Sequence, residues 1–405
     1  MTTEAAESKP VPLATTTVAM LPEAQLEPAL KPAGGAGDAA LPDARNVLVT
    51  GGTGFLGAFM VHGLLRDTAA TIHCLVRADD ADAARRRVID NLGRFGLPTP
   101  DDPSRIEPVV GDVTQPRLGI ADADHERLQG ELDGIYHGAA SLNWKKPYDD
   151  IKRTNVAGIR SVLELSAGGE RSLPVHHIST VAVLPFWGLP EAGEDFSLEH
   201  DGWLLGGYTQ SKWVAERTAQ AAAERGFPVR VYRPGGVTGS SRTGHFAQGA
   251  YLEAFLKGCI QLRSGPDSDM PFDMVPVDYV ADALLHISRT PNAERTFHLT
   301  NPTNDGIQEI FDAIETYGYP LERRPFEEWK QGLLSSPDLA QNALKPFDWF
   351  LGNVGEQQIT PPRYLSTRTQ AAVEDSDLRC PPIAELIPTY LDHWVEIGFL
   401  DPPPR

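Results

Sequence analysis

The sequence predicts an α/β protein in which a doubly wound parallel sheet is followed by a smaller, mostly helical C-terminal lobe. Short apolar strands alternate with amphipathic helices over 46–233, which is the pattern of repeated βαβ units. Three glycines, Gly51, Gly54 and Gly57, follow the first strand at every third position. Beyond residue 245 the pattern is less regular and mostly helical. With 405 residues the chain can bury a core for both parts.

The glycine turn is typical of a dinucleotide-binding fingerprint and predicts a Rossmann-like sheet. A buried strand that begins at Asn46 precedes it, and a helix over Leu56–Leu65 follows. Glycine lets bare backbone approach a pyrophosphate, whose charge the amides and dipole of the new helix can meet. The last glycine lets the helix pack closely on the strand. The predicted contacts are Gly51, Thr53, Gly54, Phe55, Leu56 and Gly57.

The end of the second strand, Thr71–Val76, indicates which cofactor binds. Arg77 stands about where the residue that recognises the ribose falls. An acidic residue there would favour NAD, whereas arginine offers a planar donor fork to a 2′-phosphate, so NADPH is predicted. The next helix adds Arg85, Arg86 and Arg87. Two of these could be a solvated helix face, and Arg87 is predicted as the second phosphate contact.

Further cofactor contacts are expected where later strands end. The third strand, Ile106–Val110, leads to an aspartate that could accept from an adenine amino group or only form a turn. The fourth, Gly134–His137, leads to small residues that let the cofactor pass close to the sheet. An asparagine on the next helix could tie neighbouring strands together or hydrate a proton path, and the loop after the sixth strand could wrap the nicotinamide end. These candidates are Asp112, Val113, Gly138, Ala139, Ala140, Asn155, Pro234, Gly235 and Val237.

The later elements follow the same periodicities. The fifth and sixth strands are predicted at Val175–Ser179 and Val229–Tyr232, with an alanine-rich helix between them that begins at Tyr208 and ends at Arg225. The lobe is predicted to contain helices at Tyr251–Ile260, from Asp278 onward, and at Ile307–Thr316, Phe326–Leu334 and Ile383–Ile397, with extended segments at Phe272–Val277 and Arg295–Leu299.

A tyrosine and a lysine with a chemical use stand at the start of that alanine-rich helix. Tyr208 and Lys212 are four residues apart, so they share one helix face. A neighbouring ammonium and a cationic nicotinamide ring would favour the phenolate, so Tyr208 could act as a general acid or base. Lys212 would also hold the nicotinamide ribose. Thr180, at the end of the fifth strand, could donate a hydrogen bond to a carbonyl oxygen as charge develops there.

Composition excludes several classes of function. The chain has 36 lysines and arginines against 55 acidic residues, a net charge of −19, which argues against nucleic acid or an anionic membrane as partner. Cys74, Cys259 and Cys380 are far apart, which fits reduced thiols in a cytosol and no zinc site. No apolar run reaches membrane-spanning length and no export signal is visible, so a cytoplasmic protein is expected.

The N-terminal stretch, residues 1–45, is rich in Ala, Pro, Thr, Glu and Gly and is predicted as a linker. One short helix is expected near Pro22–Leu30, and the apolar residues of Leu26–Pro32 could lie on the domain surface. The expected division is a linker over 1–45, a Rossmann-like cofactor domain over 46–245 and a substrate lobe over 246–405. Some segments of the lobe, such as 272–300, can return to the Rossmann-like domain and form part of its core.

Several stretches resemble the thioester reductase domains that end nonribosomal peptide synthetases, hybrid polyketide assembly lines and carboxylic acid reductases. These domains are a branch of the extended short-chain dehydrogenase/reductase superfamily, whose GxxGxxG spacing this chain has. The resemblance covers Leu26 to Leu299 well and the last hundred residues loosely. The stretches that carry it are Thr50–Phe59, Cys74–Arg77, His176–Val181, Tyr208–Lys212 and Tyr232–Gly235.

The resemblance implies an NADPH-dependent reductase that releases an acyl thioester from a phosphopantetheinylated carrier protein as an aldehyde or, after a second hydride, a primary alcohol. It implies that Thr180 is the hydroxyl of the catalytic trio and that Ser179 neighbours the cofactor. The segment Leu26–Pro32 resembles the lead-in segment that follows a carrier protein in such enzymes. This implies that the chain is a monomeric domain of a larger synthetase.

Three other interpretations stay open. A fatty acyl-CoA reductase shares the same core. A nucleotide-sugar epimerase or dehydratase is disfavoured because Arg77 replaces the acidic residue that usually selects NAD. A cofactor-binding sensor without turnover is disfavoured because the tyrosine, lysine and threonine are all present.

Overall fold

A seven-stranded parallel sheet is the centre of the protein. The computed structural model describes residues 14–34, 38–185, 189–199, 202–303, 305–356 and 360–404. Within those ranges the strands are β1 (Ala14–Thr16), β2 (Asn46–Thr50), β3 (Thr71–Val76), β4 (Ile106–Val110), β5 (Gly134–His137), β6 (Val175–Ile178), β7 (Glu191–Ala192), β8 (Trp203–Leu205), β9 (Val229–Pro234), β10 (Val237–Thr238), β11 (Ser264–Asp267), β12 (Val275–Pro276), β13 (Thr296–Leu299), β14 (Glu322–Pro325) and β15 (Arg363–Tyr364).

The central sheet has the strand order β13-β9-β6-β5-β2-β3-β4, and every pair in it is parallel. The chain builds outward in one direction from β2 and in the other from β5, so the order reverses between these two strands. Sheets of this kind bind ligands beyond the carboxyl ends of the strands at such a reversal. The predicted fold class is confirmed, and the site is expected between β2 and β5.

Helices cover both faces of the sheet and build much of the C-terminal lobe. Within the described ranges they are α1 (Thr17–Met20), α2 (Phe55–Asp67), α3 (Ala81–Arg94), α4 (Asp122–Glu131), α5 (Tyr148–Ala167), α6 (Gly206–Glu224), α7 (Tyr251–Leu262), α8 (Val277–Arg289), α9 (Ile307–Tyr317), α10 (Phe326–Leu334), α11 (Asp348–Leu351), α12 (Thr367–Ala372) and α13 (Ile383–Glu396). No helix of the described residues is long and apolar enough to cross a membrane.

Apolar side chains fill the space on each side of the sheet. On one face α2, α3 and α8 contribute residues such as Val61, Val88 and Leu284. On the other face α4, α5 and α6 contribute residues such as Val162 and Ala219. Each Å² of apolar surface removed from water contributes about 25 cal/mol to stability, so these two layers are the main source of the sheet's stability.

The lobe has a core of its own, which includes Phe255, Phe311, Trp329 and Trp394. Two elements from the stretch 272–300 belong to the central core instead: β13 is an edge strand of the sheet, and α8 packs against α2. The domain boundaries at 45 and 245 stay a prediction.

The lead-in segment, residues 14–34, packs along the domain. β1 pairs with β8 in antiparallel fashion, just before α6. Leu26 is 6% exposed in a cluster with Phe227, which confirms the predicted packing of this stretch on the surface. The helix predicted near Pro22–Leu30 is wrong: α1 ends at Met20, a 3-10 turn follows over Leu21–Ala24, and the two prolines of the predicted helix prevent a regular one. Residues 1–13 of the predicted linker lie outside the described residues.

Most of the other predicted elements differ from the structure by a few residues at their ends. β3, β4, β5 and α10 have the predicted bounds, and α6 begins two residues before Tyr208, at Gly206. Of the extended segment predicted at Phe272–Val277 only Val275–Pro276 is a strand, and it pairs with β10 rather than with the central sheet.

Candidate active site

The glycine turn lies against the segment that follows β5, at the reversal in strand order. Gly51 has a φ of +83°, a left-handed conformation that favours glycine, and a Cβ there would come within 2.7 Å of the Ala139 amide nitrogen. A methyl group on Gly57 would overlap the carbonyl oxygen of Gly51, so α2 packs on the turn only with glycine at this position. Backbone alone therefore lines this part of the cleft, as a bound pyrophosphate requires.

The amino end of α2 points at the same place. Gly54 is the N-cap residue, and no side chain caps the first turn, which contains Phe55, Leu56 and Gly57. Amides at a helix start have no partner within the helix and carry its positive dipole end. Thr53 is half-buried in the turn beside them. The residues predicted around the pyrophosphate therefore form one surface that fits an anion.

Asn91 on α3 supports this turn, and the sequence reasoning missed it. Its side-chain amide is buried and donates to the carbonyl oxygens of Gly52 at 3.3 Å and Gly54 at 2.9 Å. These bonds fix the backbone of the turn. The only signal in the sequence is that Asn91 stands between Val88 and Leu92 on an apolar helix face. An amide buried there needs hydrogen-bond partners.

The arginines of the second βα unit have different surroundings. Arg77 is exposed at the end of β3, and Arg87 donates a hydrogen bond to the Arg77 carbonyl oxygen, so the two predicted phosphate contacts lie together. Arg85 instead donates to the Ile106 carbonyl oxygen at 3.1 Å and lies 3.6 Å from Glu107. Arg85 is therefore tied to the edge strand, and Arg86 is exposed on the helix.

The residues after β4 and β5 line the sides of the cleft. The Asp112 carboxylate accepts from the Thr114 amide at 2.9 Å, which is the turn geometry that the sequence left open as an alternative. Its role towards an adenine stays a prediction. Val113 lies beside Gly158 of α5. Half-buried small residues follow β5 next to the glycine turn, namely Gly138, Ala139 and Ala140.

Asn155 ties together the elements around the tyrosine. Its side chain accepts from the Ser141 amide at 2.7 Å and donates to the Ser141 carbonyl oxygen at 3.1 Å and to the Ser211 hydroxyl at 2.8 Å. The Ser211 hydroxyl in turn donates to the Tyr208 carbonyl oxygen at 2.8 Å. Asn155 therefore links the loop after β5 to α6 rather than tying neighbouring strands together, and its role in a proton path stays a prediction.

Thr180, Tyr208 and Lys212 converge beside the carboxyl ends of β5 and β6. The Thr180 hydroxyl lies close enough to the Tyr208 phenol to lower its pKa. The Lys212 ammonium donates to the Ile178 carbonyl oxygen at 2.7 Å. An ammonium has three donors, so two remain for other groups such as ribose hydroxyls.

Burial sets the protonation of the tyrosine and the lysine. Burial raises the pKa of Tyr208 to about 12, and the hydrogen bond with Thr180 opposes this rise only in part. The direction is opposite to the phenolate predicted for the cofactor-bound site, because removal from water disfavours the charged form. Burial lowers the pKa of Lys212 to about 8, and the nearby Glu216 carboxylate counteracts it. Near neutral pH the site therefore holds a neutral phenol and an ammonium.

Glu216 is a second residue that the sequence reasoning missed. It is fully buried on α6, one turn beyond Lys212, and forms an ion pair with buried Arg233 at 2.6 Å. It also accepts from the Ser179 hydroxyl at 2.5 Å and from the Gln220 amide at 3.0 Å. One carboxylate thus connects the residue before Thr180, the lysine of α6 and the strand that leads to Pro234. Ser179 directs its hydroxyl to this carboxylate.

The loop after β9 is fixed by a buried aspartate. Asp273 accepts from the Gly236 amide at 2.8 Å and from the Asn301 amide at 2.8 Å, and a Cβ on Gly235 would overlap its carboxylate. Burial raises the pKa of Asp273 to about 6. Pro234 ends β9, and Val237 of β10 pairs with Val275 of β12, next to Met274 of the lobe core. The three predicted nicotinamide-side residues therefore lie where sheet and lobe meet.

The family model described as "Male sterility protein", a class of NAD-binding domain, matches residues 49–284. Among curated proteins, one component of the linear gramicidin synthase of Brevibacillus parabrevis is 34% identical over 368 residues, which are 87% of this chain. The chain spans only 7% of that protein's length.

Two solved structures extend the comparison. The terminal R domain from the myxalamid polyketide synthase–peptide synthetase pathway is 37% identical, with a TM-score of 0.87 over 96% of this chain and 100% of that one. A thiolation–reductase di-domain from an archaeal nonribosomal peptide synthetase is 25% identical, with a TM-score of 0.74 over 95% of this chain and 80% of that one. The described residues contain no cluster of three or more His, Cys, Asp or Glu side chains that could hold a metal ion.

Proposed function

This chain belongs to the male sterility protein family of NAD-binding domains, among the terminal reductase domains of peptide synthetases, and we propose that it uses NADPH to release a carrier-bound acyl or peptidyl thioester as an aldehyde. Members of this group are oxidoreductases that act on thioester-bound acyl groups. A further reduction of the aldehyde to a primary alcohol in the same site is part of the proposal.

The observation that carries the proposal is the convergence of a proton donor, a hydroxyl and an ammonium beside a backbone-lined anion cleft. Tyr208 is protonated at neutral pH, since burial raises its pKa to about 12. Thr180 lies beside the phenol and lowers its pKa, and Lys212 lies one helical turn further along α6. A protein that only senses the cofactor has no need of this arrangement.

Bound NADPH supplies a hydride to the thioester carbonyl carbon. Tyr208 donates its proton to the carbonyl oxygen as negative charge develops there, and Thr180 orients the phenol and contributes a hydrogen bond. The Lys212 ammonium stabilises the phenolate that remains and holds the nicotinamide ribose. Loss of the thiol from the resulting thiohemiacetal gives the aldehyde.

Each part of the cofactor is assigned to the residues of this chain whose position and donor groups fit it. Gly51, Thr53, Gly54 and the first residues of α2 offer amides without a side-chain cap to the pyrophosphate. Arg77 and Arg87 lie together at the end of β3, where a 2′-phosphate would extend, and this supports NADPH over NADH. Towards the nicotinamide we assign Ser179, Pro234, Gly235 and Val237, and along the cofactor Asp112, Val113, Gly138, Ala139, Ala140 and Asn155.

The substrate is proposed to arrive on the phosphopantetheine arm of a carrier domain. Related reductase domains lie downstream of such domains, as in the thiolation–reductase di-domain. Within this chain we propose a lead-in over 1–45, a cofactor domain over 46–245 and a substrate lobe over 246–405, with β13 and α8 returned to the central core.

The test is to supply one acyl group on a phosphopantetheinylated carrier protein with NADPH and to identify the product by mass. Aldehyde, with one NADPH oxidised for each thiol released, is the expected result. A primary alcohol, with two NADPH oxidised for each thiol released, would show that the second reduction also takes place. Thiol release without NADPH oxidation would contradict the proposal, since it would indicate hydrolysis.

A further inference from the structure

The segment Leu142–Lys146, called the lysine turn below, has no part in the steps described so far. It leads from the small residues after β5 to the start of α5. Asn143 fixes its backbone: its side-chain oxygen accepts from the Lys145 amide at 3.0 Å, and its carbonyl oxygen accepts from the Lys146 amide at 3.3 Å. The lysine turn therefore has a defined shape although its side chains are exposed.

The lysine turn sits on the amino end of the catalytic helix. A Cβ on Gly207 would come within 2.6 Å of the Pro147 carbonyl carbon, so the two backbones are in direct contact one residue before Tyr208. The Trp144 ring centroid lies 4.9 Å from that of Tyr208. Trp144 is 37% exposed whereas Tyr208 is 8% exposed, so the lysine turn forms a rim between solvent and the phenol.

Two cations and two apolar side chains are exposed on this rim. Among the described residues, neither Lys145 nor Lys146 has an ion-pair partner. This is notable in a chain of net charge −19, where acidic partners are abundant. Leu142 is 65% exposed beside Trp144. Exposed apolar groups grouped with charges often mark an interaction site.

The charge of Lys145 acts on the short helix α11 of the lobe. The pKa of Asp348 on α11 is held below its usual value mainly by the hydrogen bond with Lys345, and the positive charge of Lys145 adds to this effect. Lys145 is therefore near enough to α11 to interact with its charges.

We infer that the lysine turn binds the phosphate of the phosphopantetheine arm, with Lys145 and Lys146 as its cationic partners and Trp144 and Leu142 as an apolar wall along the arm. The inference rests on the proposed function, because only a tethered thioester brings this anion to the site. Lysine suits an exposed phosphate because its ammonium group is a compact charge on a flexible side chain. The lysine turn would thus select the arm rather than the acyl chain.

The test compares two small substrates that differ only in the phosphate: the octanoyl thioesters of 4′-phosphopantetheine and of pantetheine. Two exposed ion pairs together give the wild-type protein about a two- to thirtyfold higher kcat/KM for the phosphorylated substrate. Lys146→Glu should bring this ratio close to one or below it. High salt should reduce the wild-type ratio, since it screens exposed charges.

The matched control is Lys31→Glu, which changes the net charge equally. Lys31 is exposed next to Leu30, whose carbonyl oxygen accepts from Arg225 at the opposite end of the 19-residue α6. Lys31→Glu should keep the wild-type ratio, and a fold defect in either variant would lower both rates without changing the ratio. A wild-type ratio of one, or equal ratios in Lys146→Glu and wild type, would overturn the inference and leave the proposed function standing. Failure of wild type to oxidise NADPH with either thioester and with the carrier-bound substrate would overturn both.

Discussion

At the scale of single residues, the protein holds its reactive proton on Tyr208. Burial raises the pKa of this phenol to about 12 and lowers that of the Lys212 ammonium to about 8, so both are protonated near neutral pH. This suits reduction, in which the substrate oxygen must gain a proton.

Tyr208→Phe should reduce turnover by about a hundred- to ten-thousandfold, the usual contribution of a general acid, and leave NADPH binding nearly unchanged. The ring keeps its contact with Trp144, and only the hydroxyl group that donates the proton is lost. NADPH oxidation and NADPH fluorescence titration measure the two effects. Lys212→Ala should lower turnover and also weaken NADPH binding. Wild-type turnover in Tyr208→Phe would refute its assigned role.

Arg77→Ala should weaken NADPH binding about ten- to a hundredfold and change NADH binding little. A hydrogen bond between charged groups contributes about 1.5–3 kcal/mol, which corresponds to this range. Arg86→Ala is the control, because Arg86 is also exposed but on the α3 helix surface. Equal losses for the two cofactors in Arg77→Ala would show that Arg77 has a structural role.

The pH profile of kcat/KM should fall as the pH rises through about 8, because the Lys212 ammonium loses its proton there. Tyr208, with a pKa near 12, stays protonated over this range. Glu216 raises the pKa of Lys212, so Glu216→Gln should move the alkaline limb to lower pH.

Ser179→Ala is the control for this shift, since it removes one hydrogen bond to the Glu216 carboxylate and keeps the charge. The alkaline limb should then stay where it is in the wild type. Because Glu216→Gln breaks a buried ion pair with Arg233, its thermal stability must be measured beside its profile. An unchanged limb in a folded Glu216→Gln protein would contradict the coupling.

At the scale of elements, the lead-in segment is part of the folded domain. β1 pairs with β8, immediately before the helix that carries Tyr208. At the far end of that helix, Arg225 donates to the carbonyl oxygens of Glu27 at 2.6 Å and Leu30 at 2.7 Å. The lead-in segment therefore contacts both ends of α6.

Leu26→Ala should lower the free energy of unfolding by about 2–5 kcal/mol, the range for truncation of a buried leucine. Leu26 is 6% exposed in the cluster with Phe227. Val18→Ala in the same segment should change it by less than about 0.5 kcal/mol, because Val18 is 58% exposed. Urea unfolding measures both. A small effect of Leu26→Ala would mean that the segment does not contribute to stability.

Local patterns in the sequence were sufficient for most of the elements of the central sheet and for the shape of the glycine turn, but not for the segments near Pro22–Leu30 and Phe272–Val277. The strand, glycine and helix signals around Gly51 are contiguous, and the Tyr208–Lys212 spacing needs only one helix. Asn91 and Glu216 were missed because their partners lie far along the chain or in other elements. Burial is also a tertiary property, which is why the direction of the Tyr208 pKa could not be predicted from its neighbours.

At the scale of the whole molecule, the lobe is attached where the nicotinamide end is expected. The Tyr390 hydroxyl on α13 donates to the Gly239 carbonyl oxygen at 2.9 Å, and the Asn301 side chain donates to the Met274 and Pro381 carbonyl oxygens. Changes in the lobe would therefore reach the loop after β9.

The most direct test of the central claim presents one acyl group in three forms, on its carrier protein, on free coenzyme A and as the free acid, and measures kcat/KM by NADPH oxidation. Docking of a carrier gives the tethered thioester a high effective concentration without tight binding of the acyl chain. The carrier-bound form should therefore react with the highest kcat/KM, the coenzyme A thioester much more slowly and the free acid not at all. A higher value for coenzyme A would identify a fatty acyl-CoA reductase instead, and efficient reduction of the free acid would contradict both.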